Sequence, residues 1–381
     1  MMQLEITPEL AELRTQLRRF TVQKLEPLAL EIDRTGEVPQ AAVDLLREHG
    51  YLGMRLPAEY GGGGFDLPTY CLALEEFARS HRMFTLLLDA TSGLNPIAIA
   101  RYGSDAQKRK YVAGLANGTL SASFGLTEPE AGSDSQAMRT RAERRDGGWV
   151  LNGLKHYISG AHKADVVMVL AVNDAAKRAR GGITAFLVER GTPGFEVTRV
   201  DTTIGSEAIK LAELSIENCF VPEGAVLGEV GQGFRIAMES LTSGRLGVSC
   251  SCIGVADRLI EMSTAYAKER STFGAPLAER QAIQWMLADS AVELSMARAY
   301  TYETLRRVEA KEDVGTAPSM CKLYCSEMVG RVADRAVQIH GGMGLVRGYP
   351  VERFYRDVRH YRIGEGSSEI QRMLIARELL R

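Results

Sequence analysis

The chain has 381 residues, 45% of them hydrophobic and 25% charged, which is enough for two or three domains around substantial cores and unlike a disordered segment. A formal net charge of -2, with both signs mixed along the chain, gives no basic stripe for nucleic acid and no acidic tail, so a small molecule is the expected partner. The opening MMQLEITPELAELRTQLRRF lacks the apolar core of a signal peptide and no stretch of membrane-spanning length is free of charge, so a cytoplasmic location with no membrane span is expected.

From residue 7 to about 117 the pattern is helical. PELAELRTQLRRFTVQKLEPLALEIDRTG and QAAVDLLREHGYLG put apolar residues at every third or fourth position, and the glycine run at 61–64 interrupts the series. Residues 1–120 are read as a helical domain. From 121 to about 230 the runs are short and β-rich: WVLNGLKHYISG, with a turn expected at Asn152 and Gly153, then ADVVMVLAV, GITAFLVER, FEVTRV and AELSIENCFVP. These predict a small antiparallel β domain. Over 231–381 helices return, with Ile283, Leu287, Ala291 and Leu294 on one stripe and Cys321, Cys325, Met328, Val332, Ala336 and Ile339 on another. The natural packing is a helical bundle.

The six cysteines, Cys71, Cys219, Cys250, Cys252, Cys321 and Cys325, include no CxxC pair, and the six histidines form no HExxH. Such cysteines are expected as small buried apolar residues, and no metal is expected. YGGGG and IHGGMG are neither a Walker loop nor GxGxxG after a strand, so a Rossmann nucleotide site has no support.

Chemistry-bearing residues come in separate pieces. GLTEPEAGSD supplies the hydroxyls of Thr127 and Ser133 and a glycine, Gly132, that lets backbone amides approach a ligand. KHYISG sets Tyr157 beside Ser159 at a strand end. ERSTFGAPLAERQAIQ joins Arg270, Thr272 and Phe273 to Gln281, and QIHGGMG ends a helix at Gly341 and Gly342. RIGEGSSEIQRML holds Glu365 between two glycines at a helix start. Each piece alone reads equally as a turn, an amphipathic strand, a helix connection or a first-turn acid favoured by the helix dipole.

In order, LTEPEAGSD, KHYIS, ERSTFG, QIHGGMGL, YPVERFYRD and EGSSEIQRMLIAREL resemble the acyl-CoA dehydrogenase family over essentially the whole chain. The resemblance implies a fold that is mainly α with a β middle domain: a helical N-terminal domain, a β-sheet middle domain and a C-terminal four-helix bundle. It further implies FAD, an acyl-CoA substrate, an electron-transfer flavoprotein as partner and a homotetramer. By position, Leu126, Thr127, Gly132 and Ser133 would contact the flavin, with Tyr157, Ile158 and Ser159 along its ring system; Tyr157 stands where the family often has Trp. Arg270, Thr272, Phe273, Gln281, Gln338, Gly341 and Gly342 would bind the adenine and pyrophosphate end across a subunit interface. Ser367 and Glu369 match the remaining cofactor contacts, Glu369 standing where many relatives have Gln. Ser133, Arg245 and Gly366 would face the substrate.

Glu365 corresponds to the family's general base, which takes the α-proton while the β-hydrogen leaves as hydride to flavin. Its own N–H would meet the thioester carbonyl. Ser368, with Gln371 three residues on, spells a capping box, and a bound acyl chain is expected to raise the Glu365 pKa by burying it. Gly244, before Arg245, stands where other relatives carry the base, and is expected to leave room for substrate. Arg245 is read as a CoA or active-site contact or equally as a salt-bridged helix arginine; Thr242 replaces an Asp that many relatives place near the CoA. Arg82 lies near where relatives acting on dicarboxylic acyl-CoAs place a carboxylate-binding arginine, though it reads better as a surface arginine. Enoyl-CoA reduction, an oxidase or lyase variant, and a non-catalytic flavin or acyl-CoA binder are the alternatives.

Overall fold

The computed structural model describes residues 8–381, so Thr7, where the helical pattern opens, lies outside the described residues. The helical part runs α1 (Pro8–Phe20), α2 (Glu26–Thr35), α3 (Gln40–Glu48), α4 (Leu67–Ala78), α5 (Arg82–Ser92), α6 (Leu94–Tyr102), and the short α7 (Asp105–Gln107) and α8 (Ala113–Ala116). Asp66 caps α4 by accepting from the Thr69 N–H at 2.8 Å. Nearly all of α4 is buried. Its two acids, Glu75 and Glu76, meet Arg298 and Arg18 respectively, each at 2.9 Å, which offsets the cost of burying them. The 82–102 stretch has the length and apolarity of a membrane-spanning helix, but it is two helices meeting at Gly93, and 56% of its most apolar 18-residue window is buried in the fold.

Next come β1 (Ala122–Gly125), β2 (Arg141–Arg145), β3 (Gly148–Ser159), β4 (Val166–Val172), β5 (Ile183–Glu189), β6 (Phe195–Thr202), β7 (Lys210–Pro222) and β8 (Val226–Leu227). The sheet order is β6-β7-β3-β2-β4-β5-β8, with β1 beside β4. The sheet is mixed, not purely antiparallel, because β1 and β2 both pair with β4 in parallel. Apolar clusters on both sides bury both faces of β4 and β5, which suits their unbroken apolar runs VVMVLAV and ITAFLVE.

The expected turn at Asn152 and Gly153 is a bulge inside β3. A side chain at Gly153 would collide with Thr140, and the Asn152 amide oxygen accepts from the Asn218 N–H, so the pair bends a strand instead of ending it. The real hairpin is Asp146 and Gly147, between β2 and β3.

The last part comprises α9 (Gly233–Glu269), the small hairpin β9 (Ser271–Thr272) and β10 (Ala275–Pro276), α10 (Gln281–Glu309), α11 (Ala317–His340), α12 (Pro350–Asp357) and α13 (Ser368–Leu379). The Cys321 to Ile339 stripe is wholly buried against α9. Of the α10 stripe only Leu294 is fully buried, and the helix exposes Trp285, Val292 and Met296 elsewhere. All six cysteines are buried and free.

Candidate active site

Glu365 sits in the turn before α13 with φ +54, and Gly366 follows with φ +93, backbone conformations that L side chains rarely adopt. Two buried side chains hold this turn. Lys322 on α11 donates to the Gly366 carbonyl at 2.7 Å, and Gln371 on α13 donates to the Glu365 carbonyl at 3.2 Å and the Gly366 carbonyl at 3.0 Å.

The expected Ser368 capping box does not form. The N-cap of α13 is Ser367, which accepts from the Ile370 N–H at 3.4 Å, while Ser368 donates to Glu327 at 2.7 Å. With Gln371 turned back onto the two carbonyls, it serves the Glu365 turn and not the helix start.

The Glu365 carboxylate is enclosed by helices from both ends of the chain. A Cβ at Gly244 on α9 would collide with its Oε2 and come within 2.8 Å of Leu94. The space at Gly244 therefore belongs to the base itself, not to substrate as expected. Oε2 is buried and accepts no hydrogen bond from a described residue. Burial, and then the like charge of Asp89, push the Glu365 pKa up to about 8 even with no acyl chain bound, against the partial relief of Arg245, Lys322 and Arg82. Substrate burial was thus not needed to raise it. Asp89 is itself raised to about 6, chiefly by burial. The Glu365 N–H has no acceptor among the described residues.

Among the described residues Arg245 makes no ion pair and its buried Nε has no partner, so the salt-bridged reading fails. Thr242 only bonds back to Met238 within its own helix. Arg82 is not a surface arginine. It is partly buried beside the Tyr361 ring, 5.7 Å from its centroid, and its guanidinium forms no hydrogen bond or ion pair with a described residue. Burial lowers its pKa to about 10.

The residues expected to contact a cofactor fall into two groups. In the first, Leu126 shares an apolar cluster with Leu94 and Leu241, close to Glu365. Thr127 accepts from the His156 N–H at 2.9 Å, and Ser123 ties β1 to the Ser159 carbonyl at 2.9 Å. Lys155, fully buried, donates to the Leu126 carbonyl at 3.2 Å and to Glu128 at 2.8 Å. Above this underpinning, Gly132, Ser133, Tyr157 and Ser159 are exposed and Ile158 is buried. Tyr157 has φ +58 and stacks its exposed ring on His156, centroids 3.8 Å apart.

The second group lies at the far end of the long helices. Arg270, Phe273, Gln281, Gln338, Gly341 and Gly342 are exposed there, with Thr272 half-buried; Phe273 is 99% exposed at φ +49. Tyr266 and His340 join α9 to α11 at this end, with ring centroids 4.4 Å apart. Ser367 is taken up as the α13 cap, and Glu369 is exposed. About 26 residues of α9 separate Gly244 from Arg270, roughly 39 Å at 1.5 Å per residue, so the two groups do not meet within one chain.

The donor set fits a flavin dinucleotide. The first group offers an exposed aromatic ring and hydroxyls over a pinned strand end. The second offers an arginine without an ion pair to any described residue and two glycines at which a Cβ would meet nothing within 4 Å. The acyl-CoA dehydrogenase family models match in full order: the N-terminal domain over 7–119, the middle domain over 123–219 and the C-terminal domain over 231–380. The chain belongs to the acyl-CoA dehydrogenase family.

Within that family it is 38% identical over 382 residues to the acryloyl-CoA reductase (NADH) of Anaerotignum propionicum, covering 100% of this chain and 96% of that protein. It is 38% identical over 369 residues to the Mus musculus mitochondrial short-chain specific acyl-CoA dehydrogenase, covering 97% and 89%. Among solved structures, butyryl-CoA dehydrogenase of Megasphaera elsdenii superposes with a TM-score of 0.94 at 35% identity, covering 100% of both chains. The glutaryl-CoA dehydrogenase complex with glutaryl-CoA gives 0.95 at 35%, covering 100% and 97%. PigA with FAD and proline gives 0.94 at 27%, covering 99% of each.

Sequence reasoning missed Tyr70, Asp89 and Lys322, which come to Glu365 from α4, α5 and α11. A signal existed for Lys322: a lysine inside the apolar spelling SMCKLYC, beside the buried stripe of α11.

Proposed function

We propose that this acyl-CoA dehydrogenase uses Glu365 to remove the α-proton of an acyl-CoA thioester, leaving a trans-2-enoyl-CoA. The observation that carries the reading is the unpartnered Oε2 of Glu365, held in a strained, clamped turn beside a backbone N–H without an acceptor. A carboxylate without hydrogen bonds is a stronger base than a solvated one. The adjacent N–H is suited to the enolate-like charge that grows on the thioester oxygen. FAD, when bound, would supply the acceptor for the β-hydrogen, taken as hydride. Leu126, Thr127, Gly132, Ser133 and the Tyr157, Ile158 and Ser159 strand end would hold its ring side, with Lys155 and His156 bracing them.

Arg270, Phe273, Gln281, Gln338 and Gly341 would hold the adenine end of FAD bound mainly to a second copy, because roughly 39 Å of α9 keeps them from the ring side of their own chain. A homo-oligomer, a tetramer in the reading from sequence, follows from that separation. Electrons would leave to an electron-transfer flavoprotein. The test of the mechanism is Glu365→Gln, which keeps shape and backbone donor: FAD should stay bound, while anaerobic bleaching of the flavin by butyryl-CoA or glutaryl-CoA should slow by ~10²–10⁴-fold or more. Bleaching within a few-fold of the parent rate would put the base elsewhere.

Arg82 narrows the acyl group. A partly buried guanidinium that feels Asp357 and Glu365 only at a distance, with no contacting anion among the described residues, is costly and is retained where a ligand supplies one. An acyl chain ending in a carboxylate, such as that of glutaryl-CoA, supplies one, and a structural neighbour is a glutaryl-CoA dehydrogenase solved with glutaryl-CoA. The parent should prefer glutaryl-CoA to butyryl-CoA. Arg82→Met should lose ~10–100-fold in kcat/KM with glutaryl-CoA, the range for a lost charge-assisted hydrogen bond, and change little with butyryl-CoA. Equal losses on both substrates would sink the anion reading.

A reductive direction has one observation in its favour. Below pH about 8 Glu365 is largely protonated and so is equipped to deliver a proton to Cα, as the acryloyl-CoA reductase relative requires. Comparing butyryl-CoA oxidation with crotonyl-CoA reduction by the reduced enzyme decides between the two directions.

A further inference from the structure

Lys322 clamps the Gly366 carbonyl, yet its position demands more than that. The side chain is fully buried, and among the described residues no carboxylate lies within ion-pair distance of its Nζ and its one hydrogen bond is to Gly366. Burying an ammonium with a single carbonyl partner is costly, and a neutral donor such as glutamine would make the same bond more cheaply. Gln371, also fully buried, already holds both carbonyls of the turn. What Lys322 adds is positive charge next to the base.

Resting on the base reading above, we infer that Lys322 is a positioning and tuning residue of Glu365: it locks the left-handed Glu365–Gly366 turn and its charge favours the carboxylate form needed to accept the α-proton. The groups facing Glu365 are Asp89 and Arg82 from α5, Tyr70 from α4, Arg245 from α9 and Lys322 from α11. Lys322 in turn faces Cys252 and Arg245 from α9, Glu327 on its own helix, and His360 in the segment before Glu365. Cys252 is pushed up by burial and His360 held well below its usual range, so both are neutral near pH 7. Asp89 alone repels the carboxylate. Lys322 is the only attracting cation in this set that also bonds the Glu365 turn, so geometry and charge act through one residue.

The experiment compares Lys322→Met, Lys322→Gln and Gln371→Leu in the FAD-loaded enzyme, with butyryl-CoA and glutaryl-CoA as probes and an artificial electron acceptor, across pH 6 to 10. Without the cation Glu365 should need more alkaline conditions to ionise. The acid limb of kcat/KM should therefore rise by about one unit or more in Lys322→Met, the usual effect of losing an opposite charge at close range. Below the limb that is an activity loss of roughly tenfold per unit. Lys322→Gln keeps a donor, so it should recover rate above the limb while the limb stays displaced. Gln371→Leu should lower kcat and leave the limb in place.

A limb unmoved in Lys322→Met or Lys322→Gln overturns the tuning role, and if one of them fails to accumulate as FAD-loaded protein the other carries the same test. Should Glu365→Gln remain active, the base reading itself fails. An inactive Glu365→Gln with an unmoved limb in the lysine variants removes only the Lys322 assignment.

Discussion

Around Glu365, helices α4, α5, α9 and α11 of one chain close on a single carboxylate, and every group that shapes it is buried or half-buried. Around Arg270, at the other end of α9, the equivalent candidates point outward: Phe273 is almost completely exposed, Arg270 has no ion pair among the described residues, and Gly341 and Gly342 border open space. The first region is complete within a chain, whereas the second has the donors for a phosphate and a ring but no walls. Chemistry and cofactor retention are therefore carried by parts of the molecule that can be broken separately.

The sharpest break is at Gly244. A methyl there would clash with Glu365 Oε2, so Gly244→Ala must displace the carboxylate or the turn that holds it. A shift of about 1 Å in a reacting group is enough for ~10²-fold. Flavin bleaching by a good acyl-CoA substrate should slow by that order, with FAD content equal to the parent's by absorbance. If FAD is lost along with the rate, the two regions are not independent and the comparison fails.

Arg270→Ala is the converse. It removes a charged donor from the open region, and ~10–100-fold weaker FAD retention is the range for one lost charge-assisted hydrogen bond. Bleaching per bound flavin should stay within a few-fold of the parent. The measurement is FAD released on dilution or dialysis, with sedimentation read in parallel. A monomeric protein that keeps its full FAD complement would contradict the need for a second copy.

How much of this was legible differs between the same two regions. The outer residues lie in contiguous motifs, ERSTFG and QIHGGMG, so resemblance found them and the structure adds only their exposure. Glu365 was equally visible between its glycines. Its surroundings were not, because Tyr70, Asp89 and Lys322 lie in unrelated stretches and meet only when the helices pack.

The helical and β-rich runs were legible from their periods. The misread points were local ties between two plausible turns. Asn152 and Gly153 look like a hairpin, but Asp146 and Gly147 make it, since only there do paired strands end. Of the adjacent serines, Ser367 has the extended ψ of 164° that a cap requires, and Ser368 is already helical.

The smallest expected effect concerns stability, and it bears on whether the base region is strained by its own charge. In the unfolded chain Glu365 ionises near 4.5, whereas in the folded chain burial and Asp89 raise it to about 8. The folded form therefore holds a proton that the unfolded form has released between those values. Ionised Glu365 opposes folding, and the opposition grows as pH rises through that window, levelling off above pH 8. Replacing the carboxyl by an amide removes the titration, so Glu365→Gln should melt at a higher temperature than the parent at pH 8.

The advantage should shrink toward pH 5, where the parent carboxyl is protonated in the folded state. After allowance for solvent reaching the pocket, the difference is about 1–2 kcal/mol, one to a few degrees for a chain of this size. FAD-loaded parent and variant scanned side by side at pH 5, 6.5 and 8 give the trend. An outer-region variant such as Arg270→Ala should show no such pH-dependent gap in its favour. A Glu365→Gln advantage that is flat with pH, or that grows as pH falls, would mean the carboxylate is not strained by burial in the free enzyme, and that the enclosed region is as relaxed as the open one.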